Sequence, residues 1–505
     1  MSPLCRFALV LTSCVEPLLA VAADGPQKTN ILFITADDLN YDSPGAFGGK
    51  IPGLTPNIDR LAAEGKRFMR THVAVAVCQP SRQAMMTGCF PQTNGATGFY
   101  PVKPDVATLQ EQLKAAGYHL GILGKVRHLQ PAEKFPWDYQ RDMPVLGAGR
   151  DPALYGRATR EFLEQARASG KPFFLMANSE DPHRPFAGSE GEAEQLGRRA
   201  GNILRGGTDE EVAKNPNAPV LEMEYPVPGR VFRPDESPVP GFLPDLPDVR
   251  TELAQYYSSV YRCDQTIGEV LRALEDSGLA DSTLVVFLSD NGISMPFAKS
   301  NCYLASTLAP SIVRWPGRVA GNTMDSENFI SGTDFMPTLM EAAGLSLPAG
   351  MDGRSFLPLL TGGTQDGRDH VFTCYYENSL KKEYPMRCLQ TARFGYIFNG
   401  WADGQTSYRV EPMMGLTFKA MKVAAEKDPA IARRVELLLH RVPEEFFDLQ
   451  NDPHGLHNLI DDPRYQREIR RYRAELLGWM QRTKDPLAST FATRISSDVV
   501  APNVR

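Results

Sequence analysis

"NILFITADD", residues 30–38, is an unbroken apolar, β-rich run that ends in two carboxylates. A strand that is apolar throughout, rather than at alternate positions, is suited to a parallel sheet covered on both faces. The chain repeats the pattern. "HLGILGK" (119–125) follows the helical stretch "TLQEQLKAAG", "KPFFLMANSEDPH" (171–183) follows another helical pattern, and "STLVVFLSDNG" (282–292) follows "YYSSVYRCDQTIGEVLRALEDSG". "PSIVRWPG" (310–317) adds a further strand. Strands alternating with helices predict an α/β protein with a large, mostly parallel central sheet.

Polar residues gather where those strands end: Asp37 and Asp38, Lys125, Asp181 and His183, Asp290 and Asn291. Ligands of open α/β sheets bind outside the carboxyl ends of the strands. Four polar strand ends in register therefore predict one assembled site.

The 505 residues allow more than one domain. Composition is that of an ordinary globular protein, 42% hydrophobic and 23% charged. The net charge of −6 argues against a nucleic-acid or general polyanion binder. An anionic substrate would need positive residues gathered locally. After about residue 365 the texture changes. "HVFTCYYEN", "YPMRCLQTARFGYIFNG" and "EEFFDLQNDP" predict antiparallel strands, followed by the helical "RYQREIRRYRAELLGWMQRT". This divides the chain into 24–365, the larger α/β part, and 366–505, a smaller α+β part. The proline-rich stretch 226–247 reads either as a stiff surface loop or as a wall of the site.

At the start, Arg6 precedes an apolar run that ends at Ala20, Val21 and Ala22. Residues 1–23 are read as a secretory signal, which predicts a secreted or periplasmic protein. "LTSC" (11–14) also resembles a lipoprotein box, so a lipid anchor is the alternative. No other segment is apolar and long enough to span a bilayer. Beyond the signal six cysteines remain, at 78, 89, 263, 302, 374 and 388, with no zinc-type spacing. Cys374 and Cys388 could pair across neighbouring strands; the sequence leaves this open.

"VCQPSRQAMMTG" (77–88) places Cys78 at a helix start. Pro80 suits the first turn, Gly88 could end the helix, and a helix N-terminus favours anions. Arg82 stands four residues on, able to reach back toward what Cys78 carries. Taken alone, Cys78 reads as a buried thiol, half a disulfide, a metal ligand or the precursor of a modified residue.

Cys-x-Pro-Ser-Arg followed by Thr87-Gly88 resembles the signature of the formylglycine-dependent sulfatases. "ITADD", "LTPNIDRLAAEG", "GKVRH", "EDPHRP", "SDNG" and "FFDLQNDP" occur in the same order, so the resemblance covers nearly the whole mature chain. It implies an alkaline-phosphatase-like sandwich in which 24–365 is catalytic. It also implies oxidation of Cys78 to formylglycine by a formylglycine-generating or sulfatase-maturating enzyme. The hydrated aldehyde attacks sulfur with one oxygen; loss of a proton from the other returns the aldehyde and expels sulfate. The resemblance places one divalent cation on Asp37, Asp38, Asp290, Asn291 and the modified Cys78; hard oxygen ligands suit Ca2+, with Mg2+ second. Arg82, Lys125 and Lys299 would neutralise sulfate. His128 would serve the nucleophile, and His183 with Lys299 the leaving group. Three departures stand out. Lys125 and His128 are one residue farther apart than the common Lys-x-His, Cys89 replaces a frequent Arg, and Gly455 replaces a frequent Glu.

Within the family, "EDPHRP", "SDNGISMPFAKSN", "YPMRCLQ" and "FFDLQNDPHGLHNL" look like the sulfamidase branch. This implies N-desulfation of a terminal N-sulfoglucosamine in heparin or heparan sulfate, and leaves room for a homodimer. The alternatives are an O-sulfatase acting on a 2-O- or 6-O-sulfated sugar, a phosphomonoester or phosphonate hydrolase of the same fold, and a non-catalytic glycan-binding protein that keeps Cys78 as a thiol.

Overall fold

The computed structural model describes residues 28–192, 194 and 226–500. The signal segment read from residues 1–23 lies outside them. The first strand, β1 (Asn30–Asp37), is buried along its whole length. It lies at the centre of an eight-stranded sheet of order β5-β4-β6-β1-β7-β8-β2-β9. The others are β2 (Lys66–Phe68), β4 (His119–Leu123), β5 (Tyr139–Arg141), β6 (Phe173–Pro182), β7 (Thr283–Ser289), β8 (Ser311–Arg314) and β9 (Thr323–Asp325), while β3 (Thr71–His72) and β10 (Ile330–Ser331) pair separately. β1 runs parallel to β6 and β7, with Ile31 opposite Phe174 on one side and Leu284 on the other. Only β8 runs against its neighbours, β7 and β2.

Successive residues of β1 serve two separate cores, as side-chain alternation requires. Leu32, Ile34 and Ala36 join the cluster with Phe162, Val260 and Ile267, from the helices Pro152–Ser169 and Pro247–Asp276. Ile31 and Phe33 join the opposite cluster with Met85, Leu113 and Phe335. Each such large apolar side chain contributes roughly 1.5–3 kcal/mol by leaving water. The sheet is thus sandwiched between helical layers, and its edges are closed by short strands. β5, β2 and β9 have three residues each, too few to carry a readable pattern.

A second sheet is antiparallel, in the order β11 (His370–Glu377), β12 (Glu383–Thr391), β13 (Phe394–Asn399), β14 (Glu444–Asp448). It meets the first body at a bridge between Val75 and Cys374, where the Cys374 amide donates to the Ala74 carbonyl at 2.9 Å. That contact braces the segment leading into Cys78. The register also answers the disulfide question. Cys374 lies opposite Arg387 and Thr373 opposite Cys388, so the two thiols face opposite sides of the sheet. They do not pair, and all six cysteines among the described residues are free.

The proline-rich stretch takes the surface-loop form. It lies along the helix Pro247–Asp276, held by Phe232 N–H to Ser258 (3.0 Å) and the Tyr257 hydroxyl to the Pro238 carbonyl (3.0 Å). "YPMR" is a packing element. Arg387 is fully buried, donates to Asp485 at 2.5 and 3.0 Å and to the Tyr375 and Met386 carbonyls, and stacks on Tyr376 at 4.0 Å. It ties the second sheet to the turn after the helix Gln466–Arg482. Removing one partner strands the other charge in the interior. Arg387→Ala should therefore lose about 3–5 kcal/mol of unfolding free energy, read by denaturant melts.

Candidate active site

The site forms where β1, β6 and β7 end and the helix Cys78–Thr87 begins. The helix ends at Gly88 with φ 65°, a left-handed conformation that glycine adopts without strain. β1 shifts register between Ala36 and Asp37, and Asp38 follows in a left-handed conformation at φ 68°. Lys125 (φ 55°), Phe297 (φ 70°) and Ser300 (φ 63°) are likewise left-handed and lie at or beside candidate site residues. Such backbone costs about 1–3 kcal/mol per residue and persists where the surroundings impose it. Here it turns Asp38 and Lys125 inward.

The Cys78 thiol donates to Asp37 Oδ1 at 3.1 Å. Burial and the Asp37 carboxylate push it well above the ordinary thiol range, so it stays neutral. Arg82 lies beneath it, fully buried. Its guanidinium donates to Thr35 Oγ1 and Asn178 Oδ1 at 2.6 Å each, and lies 2.7 Å from Asp290 Oδ2 and 3.7 Å from Asp37 Oδ2. Arg82 is thus a cationic floor that draws Asp37 and Asp290 together. Lys125 bridges Asp37 and Glu180, the latter at 2.6 Å. Lys299 donates to Asp38 Oδ2 and Glu411 Oε2, each at 2.8 Å. Burial opposes its charge, but Asp38 and Glu411 outweigh burial and hold the ammonium protonated.

Both histidines arrive. His183 Nδ1 lies 2.5 Å from the Arg184 carbonyl, which can only accept, so Nδ1 carries the proton. Nε2 then faces Asp38 Oδ2 at 3.9 Å and Glu411 Oε1 at 3.8 Å. A short 3-10 turn, Val126–His128, absorbs the extra residue in the Lys125–His128 spacing. His128 packs edge-on to Phe99, and its Nδ1 is buried without a hydrogen-bond partner. Burial, with Lys125 and Arg82 nearby, pushes its imidazole well below the usual range, leaving it neutral.

One sequence expectation is corrected. Asp181 does not face the site; it pairs with Arg150 and, at 2.6 Å, with Arg262 of the helix Pro247–Asp276. Its neighbour Glu180 points inward instead. Cys89 supplies no ionised thiol: burial pushes it up to about 12. Sequence reasoning missed Glu180, Glu411, Thr35, Asn178 and Ser294. Glu180 had a signal, its place in "EDPHRP"; Glu411, over a hundred residues from Ser294 and Lys299, had none.

The charges suit a divalent cation. Four buried carboxylates, Asp37, Asp38, Glu180 and Asp290, with Glu411 at the rim, face three fixed cations, Arg82, Lys125 and Lys299. Two negative charges remain in surplus. Burial, and the other carboxylates after it, raises Asp38 and pushes Asp290 up to about 7, as expected of carboxylates short of positive charge. Ligand atoms of Asp37, Asp38, Cys78 and His183 lie within 4.8 Å of one another. Asp290 and Asn291 adjoin this group: Asp290 Oδ1 accepts from the Asp38 amide at 3.2 Å, and Asn291 Nδ2 donates to Asp38 Oδ1 at 2.6 Å. The buried Asn291 Oδ1 has no partner. A donor set dominated by oxygen fits a hard cation such as Ca2+ or Mg2+.

The sulfatase family model matches residues 29–345, which contain this site except for Glu411. The chain belongs to the sulfatase family. It is accordingly a hydrolase of sulfuric esters. A second model, "N-sulphoglucosamine sulphohydrolase, C-terminal", matches residues 294–403. The human N-sulphoglucosamine sulphohydrolase is 28% identical over 94% of this chain and 94% of its own. An ulvan-active sulfatase of Formosa agariphila is 28% identical over 92% of this chain and 82% of its own. An N-acetylglucosamine-6-O-sulfatase of Bacteroides thetaiotaomicron is 26% identical over 75% of this chain and 80% of its own. Among solved structures, one in complex with its substrate D-glucosamine-2-N,6-O-disulfate superposes with a TM-score of 0.66 at 19% identity, covering 91% of this sulfatase and 99% of that chain. The phosphonate monoester hydrolase of Agrobacterium radiobacter superposes at 0.61 and 18% identity, covering 90% and 96%. These likenesses mark the alkaline-phosphatase-like fold.

A cation bound here should stabilise the folded sulfatase by mass action. Ca2+ at a hundred times its Kd should add about 2.7 kcal/mol, read as a rise in Tm that chelation reverses. Asp290→Ala should abolish that rise.

Proposed function

We propose that this sulfatase removes sulfate from the 2-amino group of a terminal N-sulfoglucosamine in heparin or heparan sulfate fragments. The observation that carries the reading is the match of the N-sulphoglucosamine sulphohydrolase C-terminal model to residues 294–403, a segment that includes Lys299. Similarity to the human enzyme over nearly the full length of both chains supports it. A glycan with sulfate to lose is the broader statement, which the ulvan-active and 6-O-sulfatase relatives also support.

In this reading Cys78, converted to formylglycine by a maturating enzyme, supplies as its hydrate an oxygen nucleophile that can release sulfate afterwards. Asp37, Asp38, Asp290 and Asn291, with the modified Cys78, would hold a divalent cation, which when bound would supply positive charge to the reaction. Arg82 fixes Asp37 and Asp290 from below. Lys125 and Lys299 add positive charge where the sulfate oxygens gain negative charge. His128, neutral because of its surroundings, accepts a proton on the nucleophile side. His183, once Nε2 is protonated as well as Nδ1, delivers the Nε2 proton to the leaving nitrogen, because an amide-like nitrogen leaves poorly as an anion. The negative net charge is compatible with a polyanionic substrate when only one terminal sulfate must meet the cations. We also propose a secreted or periplasmic location, on the strength of residues 1–23. No helix among the described residues is long and apolar enough to cross a membrane.

Three measurements test this. Mass spectrometry of the Cys78 peptide from protein made beside a maturating enzyme should show the thiol replaced by an aldehyde or its hydrate. Cys78→Ala should lower turnover at least a thousandfold while leaving the circular dichroism unchanged; a fully active enzyme with an intact thiol would sink the mechanism. Sulfate release should be measured from N-sulfoglucosamine and from N-acetylglucosamine 6-O-sulfate. Release from the first supports the reading; release only from the second makes this an O-sulfatase.

A further inference from the structure

Glu411 is a carboxylate in a place where an enzyme for anionic sulfates has little electrostatic reason to keep one. It comes from the short turn Glu411–Met413, beyond the segments matched by either family model. Oε1 accepts from the Ser294 hydroxyl at 2.8 Å, and Oε2 accepts from Lys299 Nζ at 2.8 Å. Oε1 also lies 3.8 Å from His183 Nε2. Each oxygen keeps further acceptor capacity. The Glu411 side chain is 32% exposed, against 0% for Asp37 and Asp38 and 5% for Glu180. It therefore lies at the rim, on the side of His183 and Lys299.

Glu411 helps keep Lys299 charged, but it is a second carboxylate on an ammonium that Asp38 already meets at 2.8 Å, so pairing with Lys299 leaves it with negative charge and acceptor capacity to spare. A carboxylate here repels sulfate unless the leaving group has something to offer it. A sulfamate does. Its nitrogen carries an N–H, whereas the bridging oxygen of a sulfate ester carries no hydrogen. Net hydrolysis converts R–NH–SO3⁻ and water into R–NH3⁺ and SO4²⁻: the S–N bond breaks, its electron pair stays on nitrogen, two protons from water end there, and the water oxygen leaves in sulfate. An ester yields a neutral alcohol. A carboxylate on the leaving-group side thus meets a donor on the leaving atom of the substrate, and a cation at that atom in the product, only when sulfate is removed from nitrogen.

We infer that Glu411, positioned by Ser294 and Lys299, is a specificity-determining residue that accepts the sulfamate N–H and receives the glucosamine ammonium. The inference rests on the proposed N-sulfatase reading and adds to it a residue for recognising nitrogen. Glu411→Gln keeps the shape, removes the charge and weakens the acceptor. In matured enzyme it should lower kcat/KM for N-sulfoglucosamine at least tenfold more than kcat/KM for an aryl sulfate. Ser294→Ala should shift the ratio in the same direction by a smaller factor. Independently of turnover, calorimetric titration of the Ca2+-loaded protein with D-glucosamine should show binding that Glu411→Gln weakens at least tenfold; N-acetylglucosamine, which has no ammonium, should bind the two proteins alike. Equal proportional losses on both substrates, or glucosamine binding unchanged by Glu411→Gln, would overturn the inference. Wild-type enzyme that leaves N-sulfoglucosamine intact would overturn the substrate reading by itself, and the glucosamine titration would still decide whether Glu411 binds an amine.

Discussion

A surplus of buried negative charge organises this protein. Asp37, Asp38 and Asp290 leave the ends of two neighbouring strands, and Glu180 joins them from a third. Isolated carboxylates in such an interior are strongly disfavoured. The structure answers with Arg82, Lys125 and Lys299, each shared between acidic or polar partners. These cations compensate only part of the charge. The remainder makes a place for a hard divalent ion and sets the field for an anionic substrate.

The scaffold around the site is built to hold this arrangement against repulsion. Side-chain alternation along β1 feeds a core on either face of the sheet, so the strand ends cannot easily drift apart. Arg82 is locked by Thr35 and Asn178, side chains of β1 and β6, so the cationic floor is tied to the sheet itself. Left-handed backbone at Asp38, Lys125, Phe297 and Ser300 is concentrated around the same few side chains. Strain of this kind survives where packing leaves no alternative.

The site is also asymmetric. On one side, neutral His128 stands near Lys125 and Arg82. On the other, His183 and the buried Lys299 meet Glu411, which Ser294 secures. Lys125, His128, His183 and Lys299 all lie within the family-matched stretch 29–345. Glu411 comes from outside that stretch, from the turn between β13 and the helix Leu416–Ala425.

Much of this was legible in the chain alone. Unbroken apolar runs ending in polar residues predict the parallel sheet and the edge where its site forms, because a strand buried on both faces leaves only its ends for chemistry. The cysteine motif and its companions carry the family resemblance, since reactive groups in this family recur with short local spacings. Other features depend on which way neighbouring side chains turn. Glu180 and Asp181 are adjacent in sequence, yet the first meets Lys125 and the second meets Arg150 and Arg262. Cys374 and Cys388 look like partners along the chain, yet the register sends them to opposite faces. Glu411 carries no motif and comes within 2.8 Å of Lys299 only through the path of the folded chain. Local sequence determined the strands, the helix starts and most of the charged groups; tertiary structure decided which of those groups meet, because a contact between distant residues depends on register and chain path, which no local pattern records.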